Sequence, residues 1–127
     1  MAHSFLSGVG SLGGPAAFRI LLLSCAAWLL EAGMYYVLMF SFPITPSAAL
    51  AALTTAVANL GTLIPSSPGY VGVFDFIGKS VLAQFGVPEE AALAYVLVVH
   101  AALVVPVTLL GFYYTWRLGV SLREVSA

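Results

Sequence analysis

"LIPSSPGYVGVFD", residues Leu63 to Asp75, interrupts a chain that is otherwise almost continuously apolar. Pro65, Pro68, Gly69 and Gly72 break regular helix here, Ser66, Ser67 and Tyr70 bring hydroxyls, and Asp75 ends the stretch with a carboxylate. In a membrane, non-helical backbone is tolerated only where it is buried in protein or lines a wet cavity. How this stretch is housed therefore decides the fold.

On its N-terminal side, residues 47–64 form an apolar segment with Ser47, directly after Pro46, placed to cap a helix. On its C-terminal side, residues 73–85 give about 20 Å of helix, short of a ~30 Å hydrocarbon core. Residues 18–42, by contrast, are long enough to span, and "FPITP" (Phe42 to Pro46) ends them. "GVPEE" (Gly86 to Glu90) is a turn, with Gly86 suited to a helix C′ position and the two acids to the next first turn. A last segment, 89–115, is again long enough to cross, and Pro106 within it predicts a kink. Residues 1–17 read as a loop or interfacial segment, 18–115 as one membrane domain and 116–127 as a cytoplasmic tail.

Composition fixes the class. Of 127 residues, 61% are hydrophobic and only 7% charged, against about 25% charged in soluble domains. The expectation is an all-α, polytopic integral membrane protein. It has three to four membrane helices and a broken or re-entrant hairpin at 47–85. The alternative for 65–72 is an ordinary cytoplasmic loop between two spanning helices. Arg19 precedes the first span, Arg117 and Arg123 follow the last, and both connecting turns lack Lys and Arg. The positive-inside rule then puts both termini in the cytoplasm.

A net charge of −1 without a basic cluster gives no reason to expect a nucleic-acid partner. The single cysteine, Cys25, excludes an internal disulfide and reads as a buried small residue. No metal motif, nucleophile–base arrangement or phosphate-binding loop is present, so neither a metal, a cofactor nor enzymatic chemistry is expected.

Glu31 lies near the centre of the first span with Trp28 and Tyr35 at helical spacing. A carboxylate at that depth should face inward and find a partner, whether for a cavity or for packing. Asp75 and Lys79 stand four apart, which suits a self-neutralising pair. Alternatively, Asp75 pins the turn by accepting its N–H groups and leaves Lys79 near a substrate phosphate. The turn itself, at a helix N-terminus, favours an anion such as a phospholipid phosphate. His100, mid-span, is suited to accept a proton, pair with Glu31 or meet a head group. Thr55, Asn59 and Thr62 form a polar stripe that reads as helix-to-helix glue.

Three stretches, "SCAAWLLEAGMYYVLMFSF", "NLGTLIPSSPGYVGVFD" and "FGVPEEAALAYVLVVHAALVVP", in this order and spacing resemble the lysylphosphatidylglycerol synthase transmembrane region, also called the flippase-like domain family. The resemblance covers roughly residues 5–115. On it, Pro65, Pro68, Gly69, Gly72 and Asp75 match the family turn, and Trp28 and Glu31 match its W-x-x-E helix. Three positions depart: Tyr70 stands for a usual glycine, Asp75 for a usual glutamate, and His100 for a usual arginine. The resemblance implies a multi-pass inner (plasma) membrane protein of a bacterium or archaeon that handles a phospholipid or lipid-linked substrate. Only the C-terminal half of the family pattern is recognisable, so a missing N-terminal half or a second copy is expected to complete the cavity.

The expected function is a lipid flippase-like activity that binds and translocates an anionic lipid head group, aminoacylated and glycosylated ones included. Glu31, Pro65, Pro68, Gly69, Gly72, Asp75, Lys79 and His100 are the candidate residues. The alternative is a non-catalytic scaffold subunit of a lipid- or glycan-modifying enzyme.

Overall fold

The computed structural model describes residues 14–118, all helix, turn and loop, with no strand among them. Helix α1 spans Pro15–Met39, α2 Ala48–Gly61, α3 Val73–Gln84 and α4 Glu89–Arg117, with a single 3₁₀ turn at Pro68–Tyr70. Helices α1 and α4 are long and apolar enough to cross a membrane, and α2 is a shorter apolar helix. The parts of the N-terminal loop and C-terminal tail that include His3 and Arg123 lie outside the described residues.

The helix boundaries follow local chemistry. α1 begins at Pro15, so residues 15–17 belong to the helix and not to the expected loop. A proline at N1 loses nothing, because its missing N–H would have had no intrahelical partner. α1 ends three residues earlier than expected, and its last turn tightens through Phe40 N–H to Val37 C=O and Ser41 N–H to Leu38 C=O bonds. Ser47 caps α2 as expected, accepting from the Leu50 N–H at 3.3 Å. α3 stops at a Schellman turn: Val87 N–H bonds the Leu82 carbonyl, Gly86 N–H bonds the Ala83 carbonyl, and Gly86 has φ of +81°. α4 runs on through Pro106 to Arg117, two residues into the segment expected as tail.

Packing is concentrated at one end. α3 lies between α2 and α4, and α1 covers α2 and touches α4. Tyr35 and Met39 of α1, Ala51 and Ala58 of α2, Leu82 of α3 and Tyr95, Val96 and Val99 of α4 fill the core. Tyr95 ties α4 to α1 by donating to the Tyr35 carbonyl at 2.7 Å, and its ring meets Phe42 edge-on at 5.6 Å. The Gly78 backbone approaches α4 so closely that a Cβ there would lie 3.0 Å from both γ-carbons of Val96. Gly78→Leu is therefore expected to destabilise the bundle by about 1–3 kcal/mol through overpacking. Gly33, with nothing within 4 Å of a Cβ, should accept alanine without loss. Denaturant titration of both variants in detergent micelles checks the contrast.

The helices differ in reach. With 14 and 12 residues, α2 and α3 are about 21 and 18 Å long, whereas α1 and α4, with 25 and 29 residues, are about 37 and 43 Å. The α2–α3 hairpin consequently ends part-way along its long neighbours. Beyond its tip, residues 16–30 of α1 and most of 104–117 of α4 carry their apolar side chains exposed. Cys25 lies on this exposed stretch, contrary to the expectation of burial, because no helix among the described residues packs beside it. Trp28 is likewise half exposed and does not share the buried face of Tyr35.

Candidate functional site

The hairpin tip is built from residues with few alternatives. Gly69 and Gly72 have φ of +74° and +92°, a region in which a Cβ is strained. Tyr70, between them, also takes a left-handed φ of +56°, at a cost of order 1 kcal/mol for a residue with a side chain. That Tyr70 stands at a left-handed position explains why a glycine would suit it better. Its ring faces a groove that the adjoining helices complete.

Asp75 organises the tip. One carboxylate oxygen accepts from the Gly72 N–H at 2.9 Å, so the negative charge at the N-terminus of α3 is this carboxylate itself. The other oxygen lies 2.8 Å from His100 Nδ1. The second ring nitrogen, Nε2, lies 2.8 Å from the Gly69 carbonyl. Phe74 packs on the imidazole at a centroid distance of 4.7 Å. The side chains of His100 and Asp75 are only 12% and 9% exposed, so α4 grips the tip through a nearly enclosed pair.

Lys79 takes a different partner from the two foreseen. From the middle of α3 it donates to Glu89, at the start of α4, at 2.9 Å on an exposed surface. It lines none of the cavities around the tip. Exposed ion pairs contribute about 0–1 kcal/mol, so Lys79→Gln is expected to change stability by less than about 1 kcal/mol and to leave lipid handling intact. A melting curve and a transport assay on the same preparation test both halves.

Glu31 faces inward and accepts from Asn59 Nδ2 of α2 at 2.7 Å. Of the expected polar stripe, only Asn59 bridges helices. Thr55 and Thr62 return their hydroxyls to carbonyls of their own helix, Ala51 and Asn59. His100 does not pair with Glu31, but both line one groove of about 460 Å³ with Asn59, Thr62, Gly69, Tyr70, Phe74, Leu103 and Val104. The other face of the His100–Asp75 pair borders a second, more apolar cavity of about 370 Å³ that includes Pro68 and Gly69. Pro65, Pro68 and Gly69 line a third at the end of the tip. Gly72 serves the site through its N–H to Asp75.

The sequence reading missed Tyr70, Phe74, Leu103 and Val104 as groove walls. Among these, only Tyr70 carries a polar handle. Among the described residues no group of three metal-binding side chains occurs.

The groove thus joins one carboxylate, an amide, two hydroxyls and the His100 imidazole to walls of Leu, Val and Phe. Val104 and Tyr70 are exposed and open it sideways. The family described as lysylphosphatidylglycerol synthase TM region matches residues 5–111. No curated protein and no solved structure matches.

Proposed function

We propose, from the fact that this chain belongs to the lysylphosphatidylglycerol synthase TM region family, that it carries a phospholipid head group through the membrane along the groove at the hairpin tip. The supporting observation is the convergence of Glu31, Asn59 and His100 from three helices on one laterally open groove. A head group needs a polar path, while its acyl chains need none. A groove open to the lipid offers both at once. The hairpin stops short of the ends of α1 and α4, which supports a path at depth over one at the interface.

The groove's charge favours the kind of head group. Glu31 is its only carboxylate outside the His100–Asp75 pair, and Lys79 is engaged elsewhere. A head group bearing an ammonium, zwitterionic or aminoacylated, would meet Glu31 favourably. A bare anionic one would find no lysine or arginine among the described residues that line the groove. A second copy, or another helical unit, would cover the exposed inner faces of α1 and α4. The arginines support an orientation with both termini cytoplasmic, in the plasma membrane that the family resemblance implies.

The rival scaffold role draws on the pairing of Glu31 with Asn59 and Asp75 with His100, which a packing device would also show. Dithionite quenching of acyl-labelled phosphatidylethanolamine and phosphatidylglycerol in reconstituted vesicles separates the two. Transport predicts that the inner-leaflet label, protected in protein-free vesicles, is quenched as well, faster for phosphatidylethanolamine. A scaffold leaves the inner leaflet protected as in the controls.

A further inference from the structure

The geometry assigns a site for one exchangeable proton, shared by Asp75 and His100, that locks the hairpin tip onto α4. A carbonyl oxygen only accepts hydrogen bonds, so the 2.8 Å contact of His100 Nε2 with the Gly69 carbonyl requires a proton on Nε2. Across the 2.8 Å contact of Nδ1 with Asp75 there must also be a proton, on the nitrogen or on the carboxyl. Whether drawn as imidazolium with carboxylate or as neutral imidazole with carboxylic acid, the pair carries the same two protons and no net charge. That state suits a site with side chains 12% and 9% exposed.

Removal of one proton leaves a carboxylate and a neutral ring with a single N–H. The ring then serves either Asp75 or Gly69, and the other contact faces two acceptors. The pair acquires a net negative charge as well. Glu31 of α1 and Tyr70 of the tip are the other titratable groups lining its groove, and α2 contributes only uncharged Asn59 and Thr62. Low pH closes the tip on α4, and high pH releases it.

The lock stands on hydrogen-bond geometry alone. Its use to gate head-group passage rests on the proposed function, so the experiment measures the lock without transport. His100 and His3 are the only histidines and Asp75 the only aspartate. In His3→Gln protein held in phospholipid nanodiscs, ¹⁵N-histidine and ¹³C-aspartate NMR then each report one site. The expected result is a common midpoint for both signals as pH rises. In a Cys25→Ala, Val73→Cys background, where Val73 is half-buried at the start of α3, thiol labelling corrected at each pH for the thiolate fraction of a free cysteine should quicken about tenfold above it, the worth of one lost hydrogen bond.

Asp75→Asn is the discriminating variant. Its amide oxygen can accept from the Gly72 N–H while its NH₂ donates to Nδ1, reproducing the closed arrangement with no exchangeable proton. Labelling at the tip, corrected in the same way, should then be slow at every pH. The inference is overturned by an ionised Asp75 beside a neutral His100 from about pH 5 to about pH 9, by titration without a change in labelling, or by an asparagine variant that keeps the pH response.

Discussion

Glu31→Ala is expected to reduce phospholipid translocation by tenfold or more, about 1.4 kcal/mol or greater in the barrier, while the protein folds as well as before. The two effects come apart for a physical reason. A carboxylate at membrane depth costs at least about 2.5 kcal/mol on insertion scales. Its one hydrogen bond, from Asn59 at 2.7 Å, returns about 0.6–1.7 kcal/mol in a membrane interior. Deleting Glu31 removes the larger cost along with the smaller gain, so stability should hold or rise. Glu31→Gln keeps an acceptor for Asn59 and removes only the charge, and it should share the transport defect. Melting curves beside dithionite quenching show whether the residue is kept for its action on lipid or for packing. A fall in stability with unchanged transport would assign it to packing.

Asp75→Ala is expected to be the most destabilising single change at the tip, by about 3 kcal/mol or more, because breaking a buried pair strands the remaining partner. Three contacts hang on this side chain or on what it positions. The Gly72 N–H loses its acceptor, His100 Nδ1 loses its partner, and the hold of Nε2 on the Gly69 carbonyl loses its orientation. Asp75→Asn, able to fill the same positions, should cost much less. Unfolding of both variants by denaturant in mixed micelles, followed by helical circular dichroism, gives the comparison. Equal losses would mean that the charge, and not the hydrogen-bond frame, holds the tip.

The parts of this fold that were legible in the sequence are those set by local chemistry. Ser47 after Pro46, Gly86 before Val87-Pro88 and the acids at 89 and 90 bound their helices as local capping rules require. The family turn at 65–75, the all-α class and the presence of spanning helices were legible for the same reason, with hydropathy added. Side-chain partners across helices were not. Asp75 and Lys79 have the spacing of a helical pair, yet spacing describes neighbours on one helix and ignores what packs against it. α4 brings an imidazole to the N-terminus of α3, and the long stem of Lys79 reaches Glu89 across the turn. Cys25 was misplaced by the same blindness: apolar sequence is alike whether it faces protein or lipid, and no described helix packs beside the N-terminal half of α1. The inward aim of Glu31 was foreseeable because the cost of the charge demands it, whereas its partner Asn59 depended on the register between α1 and α2.

The central claim is that a lipid head group, and not only acyl chain, occupies the groove between the hairpin tip and α4. The direct measurement replaces Leu103, a groove wall, with a photoreactive amino acid, irradiates the protein in native membranes and locates the lipid adduct by fragmentation mass spectrometry. Attachment at the head group or glycerol, lost on Glu31→Ala, is the predicted result. Attachment confined to the acyl chains, unchanged in that variant, would contradict the account.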